Sequence, residues 1–474
     1  MKMKKLLFPI AVSLFIIISI FPQSNFNPVG IWQGKIKISP AVELSIVLHI
    51  DKKDDGALSA SMDSPDQSAY GIKVDNITAS QDSLHFTVIA IAGNYTSVYY
   101  KDSLMLVGTW SQGAYSFPLN LKKTDKVEEV KRPQLPLKPY PYNDEEVVFE
   151  NKIDSIKLGG SFTYPKEGNN FPAVVLITGS GWEDRDETIF NHKPFLVIAD
   201  YLTKNGFAVL RFDDRGGGAS TGNITNATTL DFVKDVKAAV DYLKTRKEVN
   251  QNKIGLIGHS EGGMIAPLVA TERNDIAFII LLAGPGLTGE EILIRQTELI
   301  SKAEGISDQE IEKNEKLSKS IYFELRKSKD SEEANERVKK LLEEYVQKLS
   351  ENEKKELGDP KAFIERQSKT VSSPWFRFFL TYDPVPVLEK IKCPVLALNG
   401  EKDLQVPPKE DLAAIEKALN KGKNKKYKTL LLPGLNHLFQ TAQSGSPNEY
   451  GKIEETFSPS ALQAISDWLK EILQ

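Results

Sequence analysis

The chain has 474 residues, 41% of them hydrophobic and 26% charged, with a formal net charge of −4. That length exceeds one ordinary domain and predicts two or three, while the balanced composition excludes disorder as the main state. With 60 basic residues against 64 acidic ones there is no basic footprint for nucleic acid. In chain order, Met1-Lys2-Met3-Lys4-Lys5 is a basic start, and Leu6 to Phe21 is an apolar stretch interrupted by Pro9. This predicts a signal peptide over residues 1–24, placing the mature chain in the periplasm or outside the cell with no stable membrane insertion after cleavage. An uncleaved N-terminal anchor is the alternative. No cysteine stands near the end of this stretch, which excludes lipid attachment there. The sole cysteine, Cys393, has no intrachain partner for a disulfide.

Residues 27–125 alternate apolar and polar with period two, as in Leu44-Ser45-Ile46-Val47-Leu48-His49-Ile50 and Leu84-His85-Phe86-Thr87-Val88. Turn signals such as Asp54-Asp55-Gly56 separate short segments, which predicts a small all-β barrel-like or sandwich domain. Trp32 and Trp110, each in a Gly-rich context near one end of this region, read as core aromatics. The segment 126–144 contains Pro133, Pro136, Pro139 and Pro141. It reads as a stiff linker.

From residue 145 onward, apolar strand patterns alternate with helical ones: Glu146–Phe149, Gly160–Tyr164, Pro172–Ile177, Ala208–Phe212, Ile254–Ile257, Ala277–Leu282, Val395–Leu398 and Thr429–Leu432. That order predicts an α/β domain over 145–474 with a mostly parallel sheet covered on both faces. Between about 287 and 375 the alternation stops. Val338, Leu341, Leu342, Tyr345, Val346 and Leu349 recur at helix spacing, which predicts an inserted helical cap. At its end, Trp375-Phe376-Arg377-Phe378-Phe379-Leu380 reads equally as a wall of a substrate pocket or as packing of cap on core.

The chemistry concentrates at Gly258-His259-Ser260-Glu261-Gly262, a G-x-S-x-G between an apolar strand and a helical segment. Such a strand–turn–helix exposes a nucleophilic serine, Ser260, on a turn whose glycines let two backbones pass closely. A serine hydroxyl needs a base, and the chain has only five histidines. His49 and His85 lie in the β-rich region, His192 lies upstream of the serine, and the side chain of His259 is expected to leave the turn in another direction. His437 remains, on a loop after the strand Thr429–Leu432. A carboxylate must orient it. Asp403, following the strand Val395–Leu398 and its Gly400 turn, is preferred over Glu401 and Asp411. The oxyanion of an acyl-transfer step needs N–H donors; these are expected from Glu261 and from Ser180 in Thr178-Gly179-Ser180-Gly181, with Gly181 the neighbouring choice.

Together with Asp184-Arg185-Asp186-Glu187 and Arg211-Phe212-Asp213-Asp214-Arg215-Gly216, these motifs resemble α/β-hydrolases, close to secreted bacterial carboxylesterases of the EstD type. Dienelactone-hydrolase and prolyl-peptidase-like members are related. The resemblance implies a catalytic triad Ser260–Asp403–His437. It also implies that the charged run 184–187 braces the oxyanion loop and the loop of Arg211, Asp213 and Arg215. More loosely, residues 27–125 resemble lipocalin-like β modules that precede hydrolase domains in secreted bacterial proteins.

The expected activity is hydrolysis of small-molecule carboxylic esters of short to medium acyl chain through an acyl-enzyme, requiring no metal and no organic cofactor. A prolyl- or aminopeptidase-like serine peptidase and an acyl thioesterase are alternatives within the enzyme class. A glycan- or lipid-binding protein with a vestigial hydrolase is the alternative outside it, and the full set of triad residue types speaks against that. Oligomeric state is not readable from the sequence.

Overall fold

The computed structural model describes residues 26–473 apart from 39–42, 68, 114, 128, 129 and 358. The expected signal peptide therefore lies outside the described residues. The chain divides into two units, the smaller within the first 126 residues and the larger containing Val127–Gln474.

In the smaller unit the strands are β1 (Gly30–Lys37), β2 (Glu43–Lys52), β3 (Leu58–Ser64), β4 (Ala69–Lys73), β5 (Asn76–Ser80), β6 (Ser83–Val88), β7 (Gly93–Tyr100), β8 (Met105–Gln112) and β9 (Tyr115–Thr124). They form one sheet in the order β4-β3-β2-β1-β9-β8-β7-β6-β5, an antiparallel half-barrel. Period-two patterning turns one face inward: Leu84, Phe86 and Val88 of β6 are buried, as is Tyr95 of β7. Trp32 and Trp110 belong to this core, in separate aromatic clusters. Trp32 meets Phe26 and Tyr99, whereas Trp110 meets Phe86. The Trp32 indole donates to the Pro28 carbonyl at 2.7 Å, satisfying its one polar atom. A Cβ at Gly93 would lie 2.4 Å from the Trp110 ring, so a glycine is needed there for the tryptophan to close the core.

In the larger unit the strands are β10 (Asn143–Asn151), β11 (Ile156–Tyr164), β12 (Phe171–Ile177), β13 (Ala208–Phe212), β14 (Val249–His259), β15 (Phe278–Leu282), β16 (Val395–Gly400) and β17 (Tyr427–Leu432). The order is β10-β11-β13-β12-β14-β15-β16-β17. The β10–β11 and β11–β13 pairings are antiparallel, and the pairings from β13–β12 onward are parallel. Both faces are covered, which is why the central strands are continuous apolar runs rather than alternating ones. Ala173, Val175 and Ile177 of β12 pack with the helices Thr229–Thr245, Gly262–Glu272 and Pro408–Lys421. Val174 and Leu176 face the opposite way, toward the helices Pro194–Lys204 and Pro459–Ile472. The proline-rich segment is tied to this unit as well. Arg132 donates to the carbonyls of Phe190, Gly451 and Ile453, and Gln134 hydrogen-bonds Thr456 and Phe457.

Between β15 and β16, among the described residues, run seven helices: Gly289–Ala303, Asp308–Lys327, Ser331–Gln347, Glu351–Leu357, Pro360–Val371, Pro374–Thr381 and Val385–Leu388. Side chains of Thr288, Ser307, Asp330, Asp359 and Ser373 cap five of them, satisfying N–H groups the helices leave open. Tyr322, Leu325, Ala334, Val338, Leu342 and Leu380 form their shared core. The helical stretch thus continues past residue 375 as far as Leu388. Among the described residues no helix is long and apolar enough to cross a membrane.

Candidate active site

The loops that follow β12, β14, β16 and β17 leave the parallel sheet at one edge, since Ile177 pairs with Gly258 and Gly400 with Leu432. The carboxyl ends of such strands are where open α/β sheets hold ligands. Ser260 stands there at φ +52°, a left-handed conformation costly for a residue with a Cβ. Its N–H is fixed to the Leu282 carbonyl at 2.9 Å. Two glycines allow the turn. A Cβ on Gly258 would lie 2.0 Å from the Gly262 carbonyl oxygen, and one on Gly262 would lie 2.2 Å from that of Ile177.

His437 and Asp403 meet across their two loops. Asp403 Oδ2 is 2.8 Å from His437 Nδ1, and Asp403 Oδ1 accepts the backbone N–H groups of Gln405 at 2.7 Å and Val406 at 2.9 Å. Both side chains are buried. With Nδ1–H given to the carboxylate, His437 Nε2 keeps its lone pair for a proton. The loops approach closely because Gly400 has no Cβ; one there would lie 2.3 Å from the Leu435 carbonyl oxygen. The rival acids do other things. Glu401 accepts the Gly434 N–H at 3.0 Å. Asp411 is buried and accepts the N–H groups of Gly286 and Leu287 at the start of the helical insertion; burial pushes its carboxyl up to about 7.

The expected oxyanion donors also lie at this edge. Neither the Ser180 nor the Glu261 backbone N–H has an acceptor among the described residues, and Ser180 is exposed. The oxyanion loop is heavily braced. Arg185 binds Asp213 through Nε at 3.0 Å and Nη2 at 2.8 Å, and Asp186 pairs with Arg211. Asp214 accepts the Thr178 hydroxyl and the Glu183 N–H, each at 2.9 Å. Arg215 turns away to Asp235 and Asp154. Burial pushes the Asp214 carboxyl up to about 7. Gly181, the neighbouring choice, is exposed at φ +114°.

The contacts of the His259 side chain were not readable from the sequence. That side chain is buried, with its ring centroid 4.8 Å from that of His437. Nδ1 is 2.8 Å from Glu187 Oε1, and Nε2 is 3.0 Å from the His437 carbonyl oxygen. The strand above Ser260 is buried on both faces, so an adjacent residue pointing the other way still enters the interior. A second feature unreadable beforehand is the Glu261 side chain. Buried beneath the nucleophile, it accepts the Thr229 hydroxyl at 2.6 Å and the Trp375 indole N–H on both oxygens, at 2.9 and 2.8 Å. Burial pushes its carboxyl up to about 7, and the two donors pull the other way. The signal available was a Glu inside an apolar strand–turn–helix, where burial demands a partner.

Met264, Ile292, Phe379 and Val406 form an apolar cluster with Trp375 and Phe378 packed against it, joining the nucleophile helix to the insertion. His192 is buried on Thr456, Tyr450 and Gln440; burial and Arg132 lower its pKa to about 4. His85 bonds Thr96 within the smaller unit, which also contains His49. Burial pushes the Cys393 thiol up to about 11, away from the thiolate a nucleophile requires.

Residues 193–356 match the family model described as Serine aminopeptidase, S33. Esterase EstD of Thermotoga maritima is 28% identical over 312 residues, 66% of this chain and 65% of that protein. An acyl transferase of Shewanella woodyi is 33% identical over 123 residues, 26% of this chain and 37% of its own. The chain therefore spans less than two thirds of the length of these relatives. Among solved structures, the esterase Pf2001 of Pyrococcus furiosus aligns over 70% of this chain and 93% of its own, with 17% identity and a TM-score of 0.42. The larger unit is similar in sequence to serine aminopeptidases of the S33 family over residues 193–356 and to the esterase EstD over 312 residues.

Proposed function

We propose that the larger unit is a serine esterase acting on small-molecule carboxylic esters. Ser260 attacks the carbonyl as His437 Nε2 takes its proton, and Asp403 holds the imidazole and stabilises its charged form. The N–H groups of Ser180 and Glu261 receive the oxyanion. His437 then protonates the leaving alcohol and activates the water that releases the acid. The observation that carries this reading is the 2.8 Å bond of His437 Nδ1 to Asp403 at the same sheet edge as a serine on a left-handed turn. This chemistry draws on no metal and no organic cofactor. The helical insertion acts as a cap, and Trp375 with Phe378 and Phe379 walls the acyl side, restricting substrates to short and medium chains. The mature chain works in the periplasm or outside the cell after removal of residues 1–24.

An aminopeptidase is the second reading, favoured by the match to the S33 model over residues 193–356. We prefer the ester reading because the similarity to EstD runs over 312 residues. The test is kcat/KM on p-nitrophenyl esters from acetyl to dodecanoyl, an acyl thioester and aminoacyl-anilides, with Ser260→Ala in parallel. Ester turnover abolished in Ser260→Ala, with fluorophosphonate labelling lost, supports the proposal. Turnover of anilides alone replaces it with the peptidase, and an active Ser260→Ala enzyme removes the site altogether.

A further inference from the structure

The buried contact between Glu187 and His259 lies outside the proposed proton relay, yet it joins the loops that carry Ser180, Ser260 and His437. Glu187 Oε1 accepts two hydrogen bonds, from the Gly179 N–H at 3.0 Å and from His259 Nδ1 at 2.8 Å. Gly179 precedes the proposed oxyanion donor Ser180, and His259 precedes Ser260. From the other side of the ring, His259 Nε2 reaches the carbonyl of His437 itself at 3.0 Å. A Cβ on Gly179 would find Ser260, Glu187 and Glu183 all within 3.7 Å. One imidazole thus connects the loops that follow β12, β14 and β17.

The protonation state follows from the partners. The His437 carbonyl can only accept, so His259 Nε2 carries a hydrogen. A hydrogen must also lie between Nδ1 and Glu187 Oε1. Because that oxygen already accepts from Gly179, it is best served as an ionised carboxylate, which leaves both ring nitrogens protonated. The groups facing the ring are Glu187 and, through the loops after β16 and β17, Asp403 and His437; Glu183 lies beside Glu187. Two of these carboxylates favour the cation. Burial opposes it, yet the net effect raises the His259 pKa above the ordinary histidine value. Burial and the neighbouring carboxylates of Glu187 and Asp214 raise the Glu183 pKa well above the ordinary carboxylate range.

We infer that Glu187 and His259 form a positioning pair, a buried carboxylate–imidazolium that holds the oxyanion loop, the nucleophile turn and the His437 loop in register. Loss of the Nδ1 proton at alkaline pH leaves the carboxylate facing a lone pair and releases the three loops. This rests on the serine-esterase reading of the site. It adds an ionisation to the reaction on the alkaline side.

The experiment measures kcat and KM against pH for p-nitrophenyl acetate, with wild type, Glu187→Gln and Ser260→Ala in parallel. It is paired with spectra of the wild-type full chain labelled with 15N in its histidines. Misplacing reacting groups by about 1 Å costs about a hundred-fold in rate. Glu187→Gln is therefore expected to lower kcat by about ten- to a hundred-fold with KM within about two-fold. In that variant the amide oxygen must keep the Gly179 N–H, so the site loses the charge that favours the imidazolium, and the alkaline step is expected to move to lower pH. In wild type one imidazole is expected to keep both nitrogens protonated well above the ordinary histidine range of about 6.5. A Glu187→Gln enzyme with unchanged kcat, or one whose alkaline step stays where it is in wild type, overturns the pair. If that variant does not fold, the wild-type spectrum decides alone: five neutral imidazoles above the ordinary range overturn it. An active Ser260→Ala instead sinks the esterase reading, so the two failures are separate.

Discussion

Asp403→Asn tests the proposed relay at its most specific point. Asp403 Oδ1 accepts two backbone N–H groups, from Gln405 and Val406, and only an oxygen can serve both. In the variant the amide oxygen must take that position, which turns the Nδ2 hydrogens toward His437 Nδ1 at the 2.8 Å contact now held by Oδ2. Two donors cannot share that bond, so His437 gives up its Nδ1 hydrogen and carries it on Nε2 instead. That nitrogen then has no lone pair for the Ser260 proton. The fold is barely disturbed, since every heavy atom keeps its place. Wrong-tautomer substitutions of this kind lower kcat by about 10⁴, equivalent to about 5.5 kcal/mol of barrier. The assay is kcat for p-nitrophenyl acetate with thermal unfolding as a control. Asp411→Asn and Glu401→Gln serve as comparators, because their carboxylates hold backbone N–H groups away from His437. A kcat for Asp403→Asn within ten-fold of wild type, or an equal loss in a comparator, would refute the reasoning.

Three further outcomes follow from the surroundings of the site. Glu261 has its pKa raised by burial from 4.5 to about 7. The folded state therefore keeps a proton that the unfolded chain releases, and its stabilising contribution is full below about 4.5 and is lost as pH rises toward 7. At 1.36 kcal/mol per pH unit this amounts to about 3 kcal/mol. Glu261→Gln should remove that slope from the melting of the larger unit, followed by calorimetry across pH; parallel curves for the two proteins would contradict it. Trp375→Phe deletes the N–H shared by both Glu261 oxygens, leaving a buried acceptor short of a donor. It should cost about 1–3 kcal/mol of stability and move the preferred ester toward longer acyl chains, while an unchanged chain-length profile would take Trp375 out of the pocket wall. Gly262→Ala would set a Cβ 2.2 Å from the Ile177 carbonyl oxygen, backbone against backbone. We expect a loss of about 3 kcal/mol and no esterase activity, checked by melting temperature and fluorophosphonate labelling; a stable, labelled variant would show that the turn has room to relax.

Much of the fold is written locally in the sequence. β13, β15 and β16 are legible because strands buried on both faces must be apolar throughout, and β6 because a half-buried strand must alternate. The turn at Ser260 is legible from its pattern, although only Gly258 answers a demand set within the turn, by Gly262, while Gly262 answers one set by Ile177 of β12. What the sequence could not decide are choices between chemically equal residues, and contacts made by residues far apart in the chain. Glu401, Asp403 and Asp411 are all carboxylates near one strand end; only the path of the loop after β16 turns Asp403 toward His437 and the others elsewhere. Glu187 and His259 are 72 positions apart, and Glu261 and Trp375 are 114 apart. Each pair exists because the parallel sheet gathers distant loops at one edge and buries them there, where a polar group cannot remain without a partner. The sequence by itself determined the strand–turn–helix at Ser260, because an apolar strand run, a glycine-flanked serine and a helical run follow one another directly. The tertiary structure alone decided which buried carboxylate faces which imidazole, because that depends on where separate loops converge.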